Sequence, residues 1–194
     1  FVLCLFLNKS FEIKNKKLDN IDTYDLEDIS NIDKKYSAIF SNFITQIAFA
    51  DNLEKNLETI YKRLEDDGLF CFNLLTPSSM RTISNIFIEI DENIFDGAYN
   101  RFGPFHDVSI IIEKLNKYNF KEIVVSTDFI EVNYSSLDKI RNDFKKIGIS
   151  NYYKNNPKFK KEFYTKTYSV FSKIIEKYEY IPVEFEIATF TAWK

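Results

Sequence analysis

The sequence predicts an α/β domain with a largely parallel sheet. Short apolar runs alternate with stretches of helical spacing, and polar residues separate them. Continuous apolar runs of this length are typical of strands buried on both faces, and their alternation with helices indicates a parallel sheet. Two strand regions near the carboxyl terminus lack a full crossover-helix pattern, which predicts an antiparallel edge. We expect a single domain over residues 1–194, because this length suits one domain with a sizeable core.

The first half of the chain contains three predicted strands separated by helical or polar stretches. The strands are the apolar runs at residues 1–7, 36–42 and 69–75. An amphipathic helix precedes the third strand, with apolar side chains at Leu53, Leu57, Ile60, Tyr61 and Leu64. Residues 66–68 (DDG) break this helix. Thr76 and Pro77 suit the start of the next helix, as its cap and first-turn residue.

The second half of the chain predicts three helices and two strands. Apolar residues recur at helical spacing over 108–118 and over 137–147. A Lys- and Tyr-rich helical stretch covers about 160–178. A strand region runs from 122 to about 132, and residues 183–187 alternate as an edge strand does.

Charge and hydropathy exclude several classes of function. The formal net charge is −3, and the short lysine clusters at 145–146 and 158–161 are typical of solvated helix faces. We therefore expect no nucleic-acid partner, since such proteins carry a basic stripe. The opening apolar run is much too short to span a membrane and lacks the features of a signal peptide.

The two cysteines predict neither a metal site nor a disulfide framework. Cys4 and Cys71 both lie within apolar runs, where cysteine behaves as a small hydrophobic residue. No metal-ligand spacing is present. A reducing cytoplasm is the expected location.

Five segments, in order, resemble the malonyl-acyl-carrier-protein O-methyltransferases of biotin synthesis, a family of the S-adenosylmethionine-dependent methyltransferase superfamily. Residues 40–46 (FSNFITQ) resemble the family's FSNLALQ stretch, and 68–80 resemble a glycine-led strand followed by a Thr-Pro-type turn. Residues 100–107 (NRFGPFHD) resemble NRFxxxHD. Residues 132–134 with 144–151 (FKKIGISN) resemble TY followed by LKxIGAxN. The final Ala-Trp-Lys matches a common family ending.

The resemblance implies a doubly wound Rossmann-like methyltransferase sheet, with S-adenosylmethionine over the carboxyl ends of the strands. The residues placed there are Asn8, Asp25, Leu26, Asn42 and Gln46. The Asp25 carboxylate would accept from the adenine amino group, beside Leu26; the alternative is an ordinary loop acid. Asn42 and Gln46 would face the cofactor cleft, and the alternative for Asn42 is a turn residue.

One diagnostic motif of the family is not found in this sequence. Its glycine-rich turn after the first strand lets the backbone approach the cofactor, whereas the four glycines here all come later, the earliest at Gly68. The opening run therefore fits the family's second strand. Asn8 then stands where the family has an acidic ribose ligand. We expect a methyltransferase-like domain that is incomplete at its amino terminus and lacks its first strand in this sequence.

The substrate side is expected to include Asn100, Arg101 and Tyr134. A malonyl group offers a carboxylate, and arginine is its natural bidentate partner; the alternative for Arg101 is a structural role. A packing role is the alternative for Tyr134. No catalytic base is predicted, because a carboxylate nucleophile is already ionised at neutral pH. The single histidine, His106, is interpreted as a helix-start residue beside Asp107.

Three functions are compatible with these observations. The first is O-methylation of a malonyl thioester on acyl-carrier protein or of another protein acceptor. The second, implied by residues 132–134 and the carboxyl terminus, is a complex I assembly factor of the arginine-hydroxylase type. The third is a degenerate, non-catalytic protein of the same fold, which Asn8 and the glycine-poor amino-terminal region motivate.

Overall fold

The computed structural model describes residues 2–6, 21–25, 31, 33–146, 153, 156–158 and 160–194. Six strands and five helices follow one another within that part of the chain: β1 (Val2–Phe6), β2 (Ile21–Asp25), β3 (Tyr36–Asn42), α1 (Ile44–Arg63), β4 (Leu64–Leu75), α2 (Arg81–Phe95), α3 (Val108–Lys117), β5 (Lys121–Tyr134), α4 (Leu137–Lys146), α5 (Lys161–Tyr178) and β6 (Ile181–Trp193).

The strands form one sheet in the order β2-β1-β3-β4-β6-β5. β1 pairs in parallel with both β2 and β3, and β3 pairs in parallel with β4. β6 runs antiparallel to β4. The predicted α/β class with an antiparallel carboxyl-terminal strand is therefore confirmed.

The chain divides into two compact units. The first contains Phe1–Pro77, Phe105–Asp128 and Ile187–Lys194, and the second contains Ser78–Pro104 and Phe129–Glu186. β5 and β6 each contribute residues to both units. The expectation of a single domain stays a prediction.

Aromatic side chains from the sheet and from α1 form the core of the first unit. Phe72 of β4 and its cross-strand partner Phe190 of β6 stack with ring centroids 4.7 Å apart. Phe49 of α1 meets the edge of Phe72 at 5.5 Å. Phe70 lies two residues before Phe72 and shares its face, because side chains alternate along a strand. The apolar pattern of the predicted third strand is thus explained by burial in this core.

The second unit has a separate aromatic core. Phe87 of α2 contacts Phe163 and Phe171 of α5, with centroid distances of 5.9 and 5.8 Å. Phe144 of α4 packs edge-on against Phe102 at 5.4 Å. These contacts explain why α4 and α5 each bury one face while their remaining residues are exposed or half-buried.

Helix α1 contains a kink at Asn52, whose backbone is non-helical. The Asn52 Oδ1 atom accepts the Lys55 backbone N–H at 3.0 Å and so caps the helical turns that follow. The predicted helix beginning at Leu53 corresponds to this second half of α1. Its predicted end at residues 66–68 is wrong, because α1 stops at Arg63 and Leu64 already belongs to β4. Asp67 adopts a positive φ of 60° within that strand.

The predicted helix start at Thr76 and Pro77 is wrong, because α2 begins at Arg81. Thr76 is buried directly after β4. The turn that follows is held by Ser79, whose hydroxyl donates to the Glu186 carbonyl at 3.1 Å and accepts the Glu186 N–H at 3.0 Å.

Glu184 supplies the cap of α2 from a distant part of the chain. Its carboxylate accepts the backbone N–H of Thr82 at 3.3 Å and also the Thr82 hydroxyl. The Glu184 carbonyl accepts the Met80 N–H at 2.6 Å. Helix amino termini have unsatisfied N–H groups, so these bonds stabilise the observed start.

Candidate functional site at the carboxyl edge of the sheet

The carboxyl ends of the parallel strands meet at one edge of the first unit. Phe6 is the register partner of Asp25, and Asn42 is the partner of Asn73. Asp25 and Asn42 are the last residues of β2 and β3. The backbone positions of these two predicted cofactor residues therefore lie at the same edge, two inter-strand spacings or about 10 Å apart.

The remaining predictions for the amino-terminal region concern residues or side chains that the structure does not describe. Asn8 and Leu26 lie outside the described residues, as do the side chains of Asp25 and Cys4. Their predicted roles stay predictions. Cys71, by contrast, is a free, half-buried thiol, and burial raises its pKa.

A tight turn joins β3 to α1, and Asn73 holds it from the neighbouring strand. Phe43 has a φ of 59°, a left-handed conformation that non-glycine residues seldom adopt. The Asn73 Oδ1 atom accepts the Phe43 N–H at 2.8 Å. Its Nδ2 atom donates to Asn42 Oδ1 at 2.7 Å. The Thr45 hydroxyl lies 3.4 Å from the Asn73 carbonyl, which it can reach as a donor.

Gln46 is almost fully buried, with 1% of its surface exposed. Its side-chain Oε1 atom accepts the Leu75 N–H at 2.9 Å, at the last residue of β4. Its backbone carbonyl lies 2.7 Å from His106 Nε2. Gln46 therefore connects α1 to the end of β4, and its predicted contact with the cofactor stays a prediction.

His106 lies two residues before the start of α3 at Val108, next to the cap residue Asp107, in agreement with its interpretation as a helix-start residue. Asp107 is the cap, accepting the Ser109 N–H at 2.8 Å, and the bonds from Ser109 lower its pKa. His106 is half-buried and meets Phe49 edge-on at 6.2 Å. Burial lowers the pKa of the imidazole, so the neutral ring with Nε2–H donating to Gln46 is favoured.

Asn73 was not among the residues predicted for the site. The sequence feature that points to Asn73 is its polar side chain within the otherwise apolar strand of residues 69–75. Asn73 is half-buried, and polar groups removed from water are usually hydrogen-bonded; its partners lie about 30 residues earlier in the chain. Only the strand register shows that they are Asn42 and Phe43.

The predicted substrate residues lie in the second unit. The Arg101 guanidinium is buried and bonded to Asp91 through two N–H groups, at 2.8 and 2.5 Å. Asn100 is exposed, and its carbonyl accepts from Asn156. The contacts of Arg101 are those expected of a structural arginine, and its role as a substrate ligand stays a prediction.

Tyr134 is buried at the end of β5. Burial raises the pKa of its phenol, and a hydrogen bond to Asp143 adds to the effect. The Tyr134 hydroxyl group therefore stays protonated at neutral pH. This environment fits the packing role, while the substrate role stays a prediction.

Within the part of the chain that the structure describes, no group of three His, Cys, Asp or Glu side chains has the arrangement of a metal site. None of the helices described is both long enough and apolar enough to cross a membrane.

Comparison with known proteins relates the chain to one kind of enzyme. No protein-family model matches it. Malonyl-[acyl-carrier protein] O-methyltransferase 1 of Coxiella burnetii is 27% identical over 119 residues, covering 61% of this chain and 39% of the relative. Malonyl-[acyl-carrier protein] O-methyltransferase of Nitrosospira multiformis is 24% identical over 127 residues, covering 66% and 39%. The chain thus spans about two fifths of the length of these curated relatives.

A solved structure supports the fold. The YcgJ protein from Bacillus subtilis superposes with a TM-score of 0.50 and 7% identity, covering 90% of this chain and 70% of that one. At this identity the likeness concerns the fold alone. The sequence matches show that this chain is similar to the malonyl-[acyl-carrier protein] O-methyltransferases.

Proposed function

We propose that the protein is an S-adenosylmethionine-dependent methyltransferase that methylates the free carboxylate of a malonyl thioester on acyl-carrier protein, in biotin synthesis. The observation that carries this proposal is the 119-residue similarity to a curated enzyme of that name. The sheet supports it, since ligands of doubly wound folds bind outside the carboxyl ends of the strands.

The edge residues fit the adenosine part of the cofactor. Asn42 is exposed there and carries an amide, and Asp25 ends the strand on the far side of β1. A carboxylate and an amide suit hydroxyl and purine groups. Residues 1–67 contain no glycine, and the family's glycine turn for the methionine part is not among them. When bound, the cofactor would supply an electrophilic methyl group.

Methylation of a carboxylate requires the protein mainly to position the acceptor. A carboxylate with an ordinary pKa of about 4 is ionised at neutral pH and needs no general base. The protein must hold that carboxylate in line with the methyl group and exclude water. This reaction needs no base from His106, whose Nε2 atom lies 2.7 Å from the Gln46 carbonyl.

Acyl-carrier protein is the proposed partner, and cytoplasm the proposed location. Exposed lysines on α4, such as Lys145 and Lys146, would suit an acidic carrier protein. Asn100, Arg101 and Tyr134 stay proposed on the substrate side.

A non-catalytic protein of the same fold is the second candidate. It is favoured by Asn8, which stands where the resembled family has an acidic ribose ligand. An amide at that position loses the charge assistance that strengthens a hydrogen bond to a hydroxyl.

Calorimetry with S-adenosylmethionine tests the proposal, using both the 194-residue chain and the full reading frame that encodes it. We expect micromolar binding by the protein that the full reading frame encodes, weakened by Asn42→Ala. Asn116→Ala is the matched control, because Asn116 is an exposed asparagine of α3 in the same unit. Binding by neither protein would contradict the enzyme and leave the non-catalytic candidate.

Acceptor assays follow if the cofactor binds. Methyl transfer to malonyl-acyl-carrier protein would support the proposed reaction. Modification of a complex I subunit arginine instead would support the assembly-factor alternative.

A further inference from the structure

The hydrogen bonds between Asn73 and the turn after β3 have a fixed direction. The backbone N–H of Phe43 can only donate, and the Asn73 side chain lies 2.8 Å from it. The atom facing Phe43 must therefore be the Asn73 carbonyl oxygen, Oδ1. This assignment follows from the partner and does not depend on distinguishing oxygen from nitrogen in the amide.

The same logic orients Asn42. Because Asn73 Oδ1 faces Phe43, the NH₂ group of Asn73 faces Asn42, and the atoms in contact are 2.7 Å apart. A donor requires an acceptor, so Asn42 turns its own Oδ1 toward Asn73. The Asn42 NH₂ group then lies at the other end of its amide, on a side chain that is exposed at the carboxyl edge of the sheet.

We propose that Asn73 is a positioning residue that makes Asn42 a hydrogen-bond donor toward the ligand of this edge. The ligand group that meets Asn42 is then an acceptor, such as a purine ring nitrogen, a ribose oxygen or a carboxylate oxygen, and not an amino group. The identity of the ligand rests on the proposed function, whereas the direction of the hydrogen bonds does not.

The substitution Asn73→Asp should rotate the side-chain amide of Asn42 by half a turn while retaining the turn at Phe43. The introduced carboxylate still accepts the Phe43 N–H, and more strongly because it is charged. It cannot donate, so Asn42 must rotate to present its NH₂ group inward and its carbonyl oxygen outward. Asn73→Ala differs, because it removes both bonds and leaves the Phe43 turn without this support.

NMR spectroscopy of the side-chain amides tests the direction without any ligand. The two NH₂ signals are assigned by their loss in Asn42→Asp and in Asn73→Asp. In the unmodified protein we expect slow hydrogen exchange for Asn73 and fast exchange for Asn42. In Asn73→Asp the Asn42 signal should become the slow one. Slow exchange of Asn42 and fast exchange of Asn73 in the unmodified protein would overturn the proposal.

Calorimetry tests the contact with the ligand, using S-adenosylmethionine and S-adenosylhomocysteine as probes. We expect Asn73→Asp to weaken both on the order of tenfold, as loss of one hydrogen bond predicts. A general electrostatic effect of the new carboxylate would instead change the two affinities by different factors, because only S-adenosylmethionine carries a positively charged sulfonium. Asn116→Asp is the control for charge and should leave both affinities unchanged.

The outcomes separate this proposal from the proposed function. Unchanged affinity in Asn73→Asp, beside clear binding by the unmodified protein, would overturn the donor role of Asn42 and leave the methyltransferase standing. If the unmodified protein binds neither probe, the proposed function fails, and the exchange rates alone uphold or overturn the orientation of Asn42.

Discussion

Arg101 and Asp91 form a two-pronged ion pair inside the second compact unit. Arg101 Nε and Nη2 donate to the two carboxylate oxygens at 2.8 and 2.5 Å, and the Asp91 side chain has no exposed surface. The guanidinium also lies 5.0 Å from the ring centroid of Phe163. This pairing supports a structural role for Arg101, which the sequence left as one of two possibilities.

Asp91→Ala is expected to destabilise the protein by about 3–5 kcal/mol, because it leaves a buried guanidinium without its counter-ion. Chemical denaturation measures the change, with Glu92→Ala, an exposed neighbour on α2, as control. The double variant Asp91→Ala with Arg101→Ala should lose less than the sum of the two single losses. Additive losses would show that the two groups do not act as a pair.

His106 should make stability depend on pH. Burial lowers its pKa below the ordinary 6.5, so the unfolded chain binds the proton more readily than the folded one. The contribution is therefore complete above about pH 6.5 and is lost as the pH falls toward the lower, folded value. Urea denaturation from pH 8 to pH 5 should show a smaller loss for His106→Gln than for the unmodified protein. An equal loss of unfolding free energy with falling pH in both proteins would contradict the assignment of this pH dependence to His106.

Glu184→Ala is expected to loosen the start of α2. It removes the acceptor of the Thr82 N–H and hydroxyl, at a cost of about 1–2 kcal/mol. Hydrogen exchange at the Thr82 amide should accelerate. Glu89→Ala is the matched control, since it removes an exposed carboxylate from the same helix. Equal effects of the two variants would contradict the assigned cap.

Phe72→Ala should be among the costly core substitutions. The ring stacks on Phe190 and meets Phe49, and only 1% of Phe72 is exposed. Removal of the Phe72 ring would leave a cavity and lower the free energy of unfolding by about 3–5 kcal/mol. Thermal or chemical unfolding measures it. Phe40→Ala on the adjacent strand removes a ring that is 40% exposed, and we expect it to cost much less.

Much of the secondary structure could be predicted because its signals are local. The apolar run at 36–42 became β3 with the predicted bounds, and the helical spacing at 137–147 became α4. Periodicity states which face of an element is buried. The predicted start of the second helix failed at Thr76, because burial of that residue and the bonds to Glu184 and Glu186 moved the start of α2 to Arg81.

The site was predicted less completely than the fold. Asn42 was placed correctly at the carboxyl end of a strand, since parallel strands bring their carboxyl ends together. Gln46 was expected to face the cleft, and the structure shows its amide bonded to Leu75. Asn73 was not assigned at all, because a polar residue in a strand does not by itself reveal its partner.

The sequence by itself determined the α/β class, the alternation of strands and helices, and the family that the chain resembles. Those properties follow from apolar periodicity and from short motifs, which neighbouring residues encode. The tertiary structure decided the direction in which Asn73 orients Asn42, the pairing of Arg101 with Asp91 and the cap that Glu184 provides. A polar side chain satisfies its hydrogen bonds with whatever packing and register bring near it, and those partners are not fixed by local sequence.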